Sequence, residues 1–537
     1  MRARPLLLLI GVIVVLGLLG GLVVPRLVRG AQRPAERAAR MAHSGEREAA
    51  EALYWSLLQR GPVTLPLVTD FLDNHQAQVG PELTTVDEGG GDGERFKLRT
   101  RKGQPVDDAA IDALLARTDL EEGVSLLGRF WRAELRGRVA PEALAAVRER
   151  ADAEPPMPYA NHLLARAALR REAAAEAAER FAREGLAFDA RAADLNLAIA
   201  VWMQSDAWDQ VGEALADPRA AKRADPGLHF RYAVHVRDWW RAARWFVPSV
   251  RPHVEAGPLA LTAIAALAWI AFLARLGRAL ERPRLRVPLY IAAFVLGVAS
   301  VYPTMLIITV EEAALHLVPS GTPLADFLFF TFGVGLREEV SKLLLFAFLL
   351  PFLRRRGTKV DVLVCGAMVG LGFAAEENLS YLQGGDLSTA LARYLTANFL
   401  HMSMTAILAT ALDDFTRDTE KHAQDMSRAM LVVVALHGAY DFCLTSHAYG
   451  DLSFFAIAIF IVLARRFLRA VSEARGRPQR ADRLLETFAV GTAVVAGASY
   501  VYASVLVGPA LGARVMMEGL LDVASIVFMF AQELRRV

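Results

Sequence analysis

The sequence predicts an all-α fold: a polytopic membrane bundle of about ten transmembrane helices with a mainly helical soluble domain inserted into it. Hydrophobic residues make up 54% of the 537 residues, and 22% are charged. The mean hydropathy of +0.29 is high for a soluble protein of this length. The apolar residues are gathered in runs long enough to cross a bilayer, and one long polar stretch separates the first run from the others. This uneven distribution predicts a mixed architecture.

The N-terminal segment, residues 1–29, contains an apolar run from 5 to 25 behind the basic sequence Met1-Arg2-Ala3-Arg4. No convincing small-residue cleavage motif follows the run. We therefore expect an uncleaved membrane anchor and not a removed signal peptide.

The polar stretch, residues 30–255, contains no window apolar enough to span a membrane, and its alanine-rich periodicity predicts helices. A short strand is expected at residues 95–100. Within 158–246, Glu172, Asp206 and Asp238 recur at intervals of 34 and 32 residues. Each is expected to open the second helix of a hairpin with a carboxylate cap. This layout resembles degenerate tetratricopeptide repeats, and a generic array of helical hairpins is the alternative; either would offer a concave surface for protein contact.

The membrane domain, residues 256–537, is predicted from nine further apolar runs. These runs are 258–276, 287–309, 324–353, 361–382, 389–412, 428–447, 452–468, 485–507 and 511–533.

Arginine clusters in alternate loops predict the orientation. The loop around residues 275–286 is rich in arginine, whereas the next, 311–326, has no Lys or Arg, and the alternation continues to the end of the chain. By the positive-inside rule, both termini are cytoplasmic and residues 30–255 are extracytoplasmic. The basic outer flank of the first anchor argues the other way, and five concordant clusters outweigh it. Loops on the opposite side carry only Arg393 or Arg514 near a helix end.

The charge pattern argues against a nucleic-acid partner. The formal net charge is only +2, and the arginines mark loops without forming a stripe. Two cysteines, Cys365 and Cys443, lie in apolar runs and suggest neither a disulfide framework nor a metal motif. The apolar runs make the lipid bilayer the expected partner.

The most informative stretch is the charged cluster inside run 324–353, where Glu338, Glu339 and Lys342 follow Arg337. A charge at mid-membrane costs about 2.5–3.5 kcal/mol on insertion scales, so such a cluster requires partners or a function. Later apolar runs supply candidate partners: Glu377 and Asn378, His401, and His437 with Asp441. These segments predict one buried polar site shared among four membrane helices.

Helical spacing suggests roles for these side chains. Lys342 shares a face with both glutamates, so one carboxylate can serve as a general base for water while the lysine neutralises the other. Asp441 lies one turn from His437 and is expected to orient its imidazole. Asn378 is expected to donate to a developing oxyanion.

The ordered set of motifs resembles the PrsW-type intramembrane proteases, which are distantly similar to CAAX prenyl endopeptidases and bacteriocin-processing enzymes. The motifs are Glu338-Glu339-x-x-Lys342, Phe373-Ala374-x-x-Glu377-Asn378, His401 with Ser403, and His437-x-x-x-Asp441, within about 287–470. The resemblance implies membrane-embedded proteolysis by Glu338, Glu339, Glu377, His401 and His437. Family members are known for cutting a membrane-anchored anti-sigma factor, and the large domain 30–255 departs from the compact family pattern, which suggests a module that recruits substrate.

Two questions stay open at this point. His401, His437 and Glu377 would make a catalytic zinc set, but a metal-free, glutamate-dependent protease is equally compatible with the sequence, which has no HExxH motif. The alternatives to a protease are a transporter or proton-coupled carrier that uses the same Glu, His and Lys side chains, and a catalytically inactive receptor scaffold.

Overall fold

The computed structural model describes residues 3–28, 34–43, 47–79, 105–251, 254–311, 321–383, 389–445, 452–475 and 481–534. The chain divides into two compact units, a polar unit, Gly30–Arg251, and a membrane unit, Met1–Arg29 with Pro252–Val537. The described residues of both units form helices and contain no strand. The all-α fold class is therefore confirmed. The strand expected at 95–100 lies outside the described residues.

The polar unit is a succession of short helices joined by tight turns. Its helices are α2 Pro34–His43, α3 Arg47–Arg60, α4 Leu65–Val79, α5 Asp108–Leu115, α6 Glu122–Leu135, α7 Pro141–Asp152, α8 Ala160–Arg170, α9 Ala174–Ala187, α10 Ala192–Gln204, α11 Trp208–Ala216, α12 Pro218–Arg223, α13 Pro226–His235 and α14 Trp239–Ser249.

The repeated acidic positions do mark turns between paired helices. The pairs α8 with α9 and α13 with α14 pack closely. Glu172 and Asp206 have φ values of 60° and 58°, a left-handed conformation that ends one helix before the next begins. The expected carboxylate cap is wrong for these two, because Ala173 and Ala207 occupy the N-cap positions and no side chain caps them. It is right for Asp238, which accepts a hydrogen bond from the Arg241 N–H. The likeness to tetratricopeptide repeats stays a prediction.

The membrane unit consists of longer helices around an extensive apolar core. They are α1 Ala3–Val28, α15 Ala256–Leu276, α16 Pro283–Ala299, α17 Val301–Val310, α18 Pro323–Leu328, α19 Leu336–Ala347, α20 Leu350–Arg356, α21 Lys359–Gln383, α22 Thr389–Leu395, α23 Ala397–Arg417, α24 Thr419–Thr445, α25 Ser453–Arg475, α26 Ala481–Val507 and α27 Pro509–Leu534.

Among the described residues, six helices are long and apolar enough to cross a membrane, and a bent pair in α27 makes a possible seventh. The protein is therefore a multi-pass membrane protein, with fewer clear spans than the ten expected. Run 324–353 differs most, because a π-helical segment, Phe329–Gly335, and a break after Ala347 divide it into short helices. The orientation of the termini stays a prediction.

Two glycines allow the backbones near the polar cluster to approach closely. A Cβ on Gly370 of α21 would lie 2.2 Å from the His401 carbonyl oxygen of α23, and one on Gly438 of α24 would lie 2.3 Å from Cα of Thr331 in the π-helical segment. Any side chain there would push the helices apart. The glycines therefore allow α21 to approach α23, and α24 to approach the segment that leads into α19.

Candidate active site

The polar cluster begins on α19, where Lys342 contacts both neighbouring carboxylates. Its Nζ donates to Glu339 Oε1 at 2.8 Å and to Glu338 Oε2 at 3.3 Å. Lys342 and Glu339 are fully buried, whereas the Glu338 side chain retains 13% exposure. The preceding Arg337 bonds to Glu311 at 2.8 Å and takes no part in these contacts. The cation and the two anions therefore neutralise one another in part within a single helix.

Two histidines from α23 and α24 meet these charges. His437 Nδ1 lies 3.0 Å from Glu339 Oε1, and its Nε2 lies 3.6 Å from Glu338 Oε2 and 3.4 Å from Asp441 Oδ2. His401 Nδ1 lies 2.9 Å from Lys342 Nζ. The two imidazole rings are 5.3 Å apart and nearly perpendicular. Asp441 is close enough to orient His437, as expected, but Glu339 is the closer partner.

Glu377 of α21 closes the cluster on the other side of His401. One carboxylate oxygen lies 2.9 Å from His401 Nε2, and the other lies 3.1 Å from Arg393 Nη2. Both ring nitrogens of His401 are thus held, one by the Glu377 carboxylate and the other by Lys342. The orientation of this ring is therefore fixed by two partners on different helices.

Asn378 lies beside Glu377 and has both ends of its amide engaged. Its Nδ2 donates to Asn398 Oδ1 at 2.6 Å, and its Oδ1 accepts from Arg393 Nε at 2.6 Å. The side chain is buried. These contacts tie α21 to α22 and α23, and the oxyanion role expected for Asn378 stays a prediction.

The residues whose side chains could bind a metal differ slightly from those predicted from the sequence. Among the described residues, Glu338, His401 and His437 each offer one ligand atom, and these atoms all lie within 4.8 Å of one another. Glu377 was expected to be the carboxylate ligand but instead bonds to His401 and Arg393. Two imidazoles and one carboxylate are a donor set that catalytic zinc uses, so the residues present fit this metal.

Arg393 is the site residue that sequence reasoning missed, because it was taken for an isolated charge near a helix end. Its guanidinium bonds to Glu377 and Asn378 and lies 3.7 Å above the Tyr381 ring. A signal was present, since Arg393 is the only Lys or Arg in the sequence between 360 and 416.

Comparisons with known proteins agree with this geometry. Residues 286–465 match the model of a family described as "PrsW family intramembrane metalloprotease". "Protease PrsW" of Bacillus subtilis is 30% identical over 190 residues, which are 35% of this chain and 84% of that protein. The namesake from Geobacillus kaustophilus is 30% identical over 188 residues, 35% of this chain and 80% of the relative. No solved structure matches the chain.

A multi-pass helical protein that buries two glutamates, two histidines and a lysine in one cluster, and that resembles these relatives over most of their length, is an intramembrane protease by class. The chain belongs to the PrsW family. This assignment favours the protease over the carrier considered from sequence. The matched residues include α19, α21, α23 and α24, which supply the cluster, whereas the polar unit lies outside them.

Proposed function

We propose that the cluster on α19, α21, α23 and α24 is the catalytic site of a metal-assisted endopeptidase that cuts a membrane-anchored protein. The observation that carries this proposal is the convergence of Glu338, His401 and His437, whose ligand atoms lie within 4.8 Å of one another. These three residues would hold a zinc ion. A bound zinc acidifies water and polarises a peptide carbonyl.

Glu339 acts as the general base in this proposal. Its Oε1 is held by Lys342 and His437, whereas its Oε2 is buried and has no hydrogen-bond partner among the described residues. The free oxygen can accept a proton from the attacking water, and the same carboxyl group can return the proton to the leaving amine. Lys342 keeps the Glu339 carboxylate charged and in position while Oε2 accepts and returns the proton.

The remaining side chains position the histidines. Glu377 accepts from His401 Nε2, and Nδ1 lies 2.9 Å from Lys342 Nζ, so a zinc ion on Nδ1 would take the place of this lysine contact. Arg393 fixes Glu377, and Asp441 assists Glu339 in orienting His437. Such partners of metal-binding histidines set the ring orientation and typically contribute about 10- to 100-fold to affinity or activity.

The polar unit selects the substrate in this proposal. Its helices α8, α9 and α10 carry exposed leucines, Leu169, Leu186 and Leu197, each more than 40% accessible. Exposed apolar side chains on a helical array suit contact with another protein. Photo-crosslinkers at these leucines should capture the substrate, and polar substitutions there should raise KM and leave kcat unchanged. A crosslinker at exposed Glu179 on α9 serves as the matched control.

The test separates the base from the metal ligands. Full-length wild type, Glu339→Gln and Glu338→Gln are purified in detergent, and each is assayed for zinc per chain and for cleavage of a membrane-anchored reporter. We expect Glu339→Gln to keep about one zinc and to lose about 10²- to 10⁴-fold in rate. Glu338→Gln should lose both the metal and the activity.

Other results would reject parts of the proposal. If folded and active wild type holds no zinc, the enzyme is a glutamate-dependent protease and the metal assignment fails. Equal zinc loss in both variants would make Glu339 a ligand and not the base. Unchanged activity in both would remove the cluster from catalysis altogether.

A further inference from the structure

The last helix of the polar unit, α14, exposes an aromatic stripe that the protease reaction does not use. Trp239 is 64% exposed, Trp240 is 89% exposed and Val247 is 56% exposed. Trp239, Ala243 and Val247 are four residues apart along the helix and lie on one face, and Trp240 borders it. The neighbouring face packs on α13 through Ala242, Trp245 and Phe246. The exposed stripe is therefore separate from the contacts that hold the hairpin together.

Arginine borders this stripe. Arg244 is exposed on the edge next to Trp240, and Arg241 follows on the same side of the helix with its guanidinium above the Tyr232 ring. The acidic neighbour, Asp238, caps α14 by accepting from the Arg241 N–H. An apolar aromatic face edged by cations is the pattern of a helix that lies in the plane of a membrane surface.

A cavity of about 390 Å³ opens next to the arginines, and its lining includes His229, Asp238, Trp240, Arg241, Arg244 and Trp245. His229 stacks on Trp245 at 4.3 Å and is 3% exposed. Its Nε2 donates to the Ala221 carbonyl, and its Nδ1 is buried without a hydrogen-bond partner among the described residues. The cavity thus holds two guanidinium groups that suit a phosphate, beside the single carboxylate of Asp238.

The short connection between α14 and the membrane-spanning helix α15 indicates that the exposed stripe contacts lipid. Six residues join Ser249 to Ala256, where the membrane-spanning helix α15 begins. A connection of that length reaches about 25 Å when fully extended, so the chain tethers the C-terminal end of α14 within that distance of the start of α15. Tryptophan and arginine are favoured at the boundary between lipid and water, where the ring, its N–H and the cation each find suitable surroundings.

We propose that α14 is an interfacial helix that places Trp239, Trp240 and Val247 in the headgroup layer of the leaflet where α15 begins, with Arg241 and Arg244 on phospholipid phosphates. The partner is an anionic phospholipid, such as phosphatidylglycerol, whose phosphate the two arginines would bind. This proposal does not depend on the protease reaction, and inactive Glu339→Gln protein should bind lipid in the same way.

The test uses the full chain in lipid nanodiscs, with Cys365→Ala and Cys443→Ser to remove the native thiols. Trp240→Cys is labelled with an environment-sensitive fluorophore, and quenching by a nitroxide on the lipid headgroup is measured. Leu197→Cys, on the exposed surface of α10, is the matched control. We expect severalfold stronger quenching at position 240 than at 197, greater in phosphatidylglycerol than in phosphatidylcholine. Adding Arg244→Gln should abolish the difference between the two lipids.

Equal quenching at positions 240 and 197 in both lipids would overturn the proposal. A label at 240 that is shielded from an aqueous quencher but untouched by the lipid quencher would assign the stripe to a protein partner and would overturn it as well. If Trp240→Cys does not fold, Val247→Cys reports on the same stripe.

Discussion

The two units each bury a glutamate with one unpartnered oxygen, and only one of these residues is surrounded by reactive groups. In the polar unit, Glu184 Oε1 accepts from the Tyr159 N–H at 2.6 Å, and its Oε2 has no partner among the described residues. In the membrane unit, Glu339 also has one free oxygen, but Lys342 and His437 hold the other. An unpaired buried carboxylate oxygen therefore does not define a site.

The two glutamates differ in how far along the chain their neighbouring residues lie. Around Glu184, Asp194 is bonded to Arg191, three residues away, and to His162 on a nearby helix of the array. These contacts join consecutive hairpins and serve packing. Glu339, by contrast, contacts His437, which lies 98 residues away in the chain, and a second imidazole, that of His401, joins the cluster through Lys342. Titratable side chains that are far apart in the sequence but in contact in the structure indicate a catalytic site more strongly than the burial of one carboxylate does.

Removing the metal should have the largest effect, and this effect should be confined to the cluster around Glu339. Treatment with a strong chelator is expected to abolish cleavage, and added zinc should restore it to wild type but not to His437→Ala. The polar unit contains no part of the proposed zinc set, so its unfolding should be unaffected. Activity that survives complete removal of zinc would contradict a metal-assisted mechanism.

Loss of the buried lysine should have the next largest effect. Lys342→Met leaves two carboxylates without their cation, and breaking a buried ion pair typically costs about 3–5 kcal/mol. We expect a correspondingly lower stability in thermal unfolding of the detergent-solubilised protein. Lys359→Met is the control, because Lys359 is 65% exposed and pairs with Asp414 at 3.2 Å; its effect should stay below about 1 kcal/mol. Similar losses in both variants would mean that the Lys342 network is not a buried ion pair of this kind.

Arg393→Gln tests whether the guanidinium positions Glu377 and, through it, His401. We expect an activity loss of about 10- to 100-fold with weaker zinc binding, and partial recovery in Arg393→Lys. Arg514→Gln is the matched control, because Arg514 is the other arginine taken for a helix-end charge, and it bonds to Glu518 at 3.1 Å on the surface. An Arg393→Gln enzyme with normal zinc affinity would limit this residue to a packing role.

The smallest expected effect is on the pH dependence of the polar unit. Burial raises the pKa of Glu184, and nearby Asp194 raises it further. A carboxyl group with a raised folded-state pKa contributes stability below its unfolded pKa and loses it as pH rises through the folded pKa. Glu184→Gln should flatten this dependence between mildly acidic and neutral pH, and leave cleavage unchanged. Hydrogen exchange of α8 and α9 measures the first effect, and unaltered pH dependence would contradict the assignment.

The sequence was sufficient for the fold class, and it named most of the residues that meet in the candidate site, whose roles stay a prediction. Runs of apolar residues predict spanning helices, and charged residues inside them must find partners, so Glu338, His401 and His437 were expected to meet. Hydropathy could not reveal the π-helical segment at Phe329–Gly335, because it reports how apolar a stretch is and not whether its backbone hydrogen bonds run from i to i+4 or to i+5. The role of Arg393 was missed because it depends on which helices are neighbours, which spacing along one helix does not report.

The spacing of the site along the chain also bears on how the protein is made. The helix that carries Glu338 and Glu339 is synthesised before His401 and His437 exist, and these histidines lie dozens of residues further on. Lys342 is the one cluster partner that emerges with the two carboxylates, and it reaches both from the same helix. Intrahelical neutralisation of this kind lowers the cost of moving the segment from the translocon into lipid. Lys342 therefore offsets part of the cost of the two carboxylates before the histidines are made, and later serves the finished site.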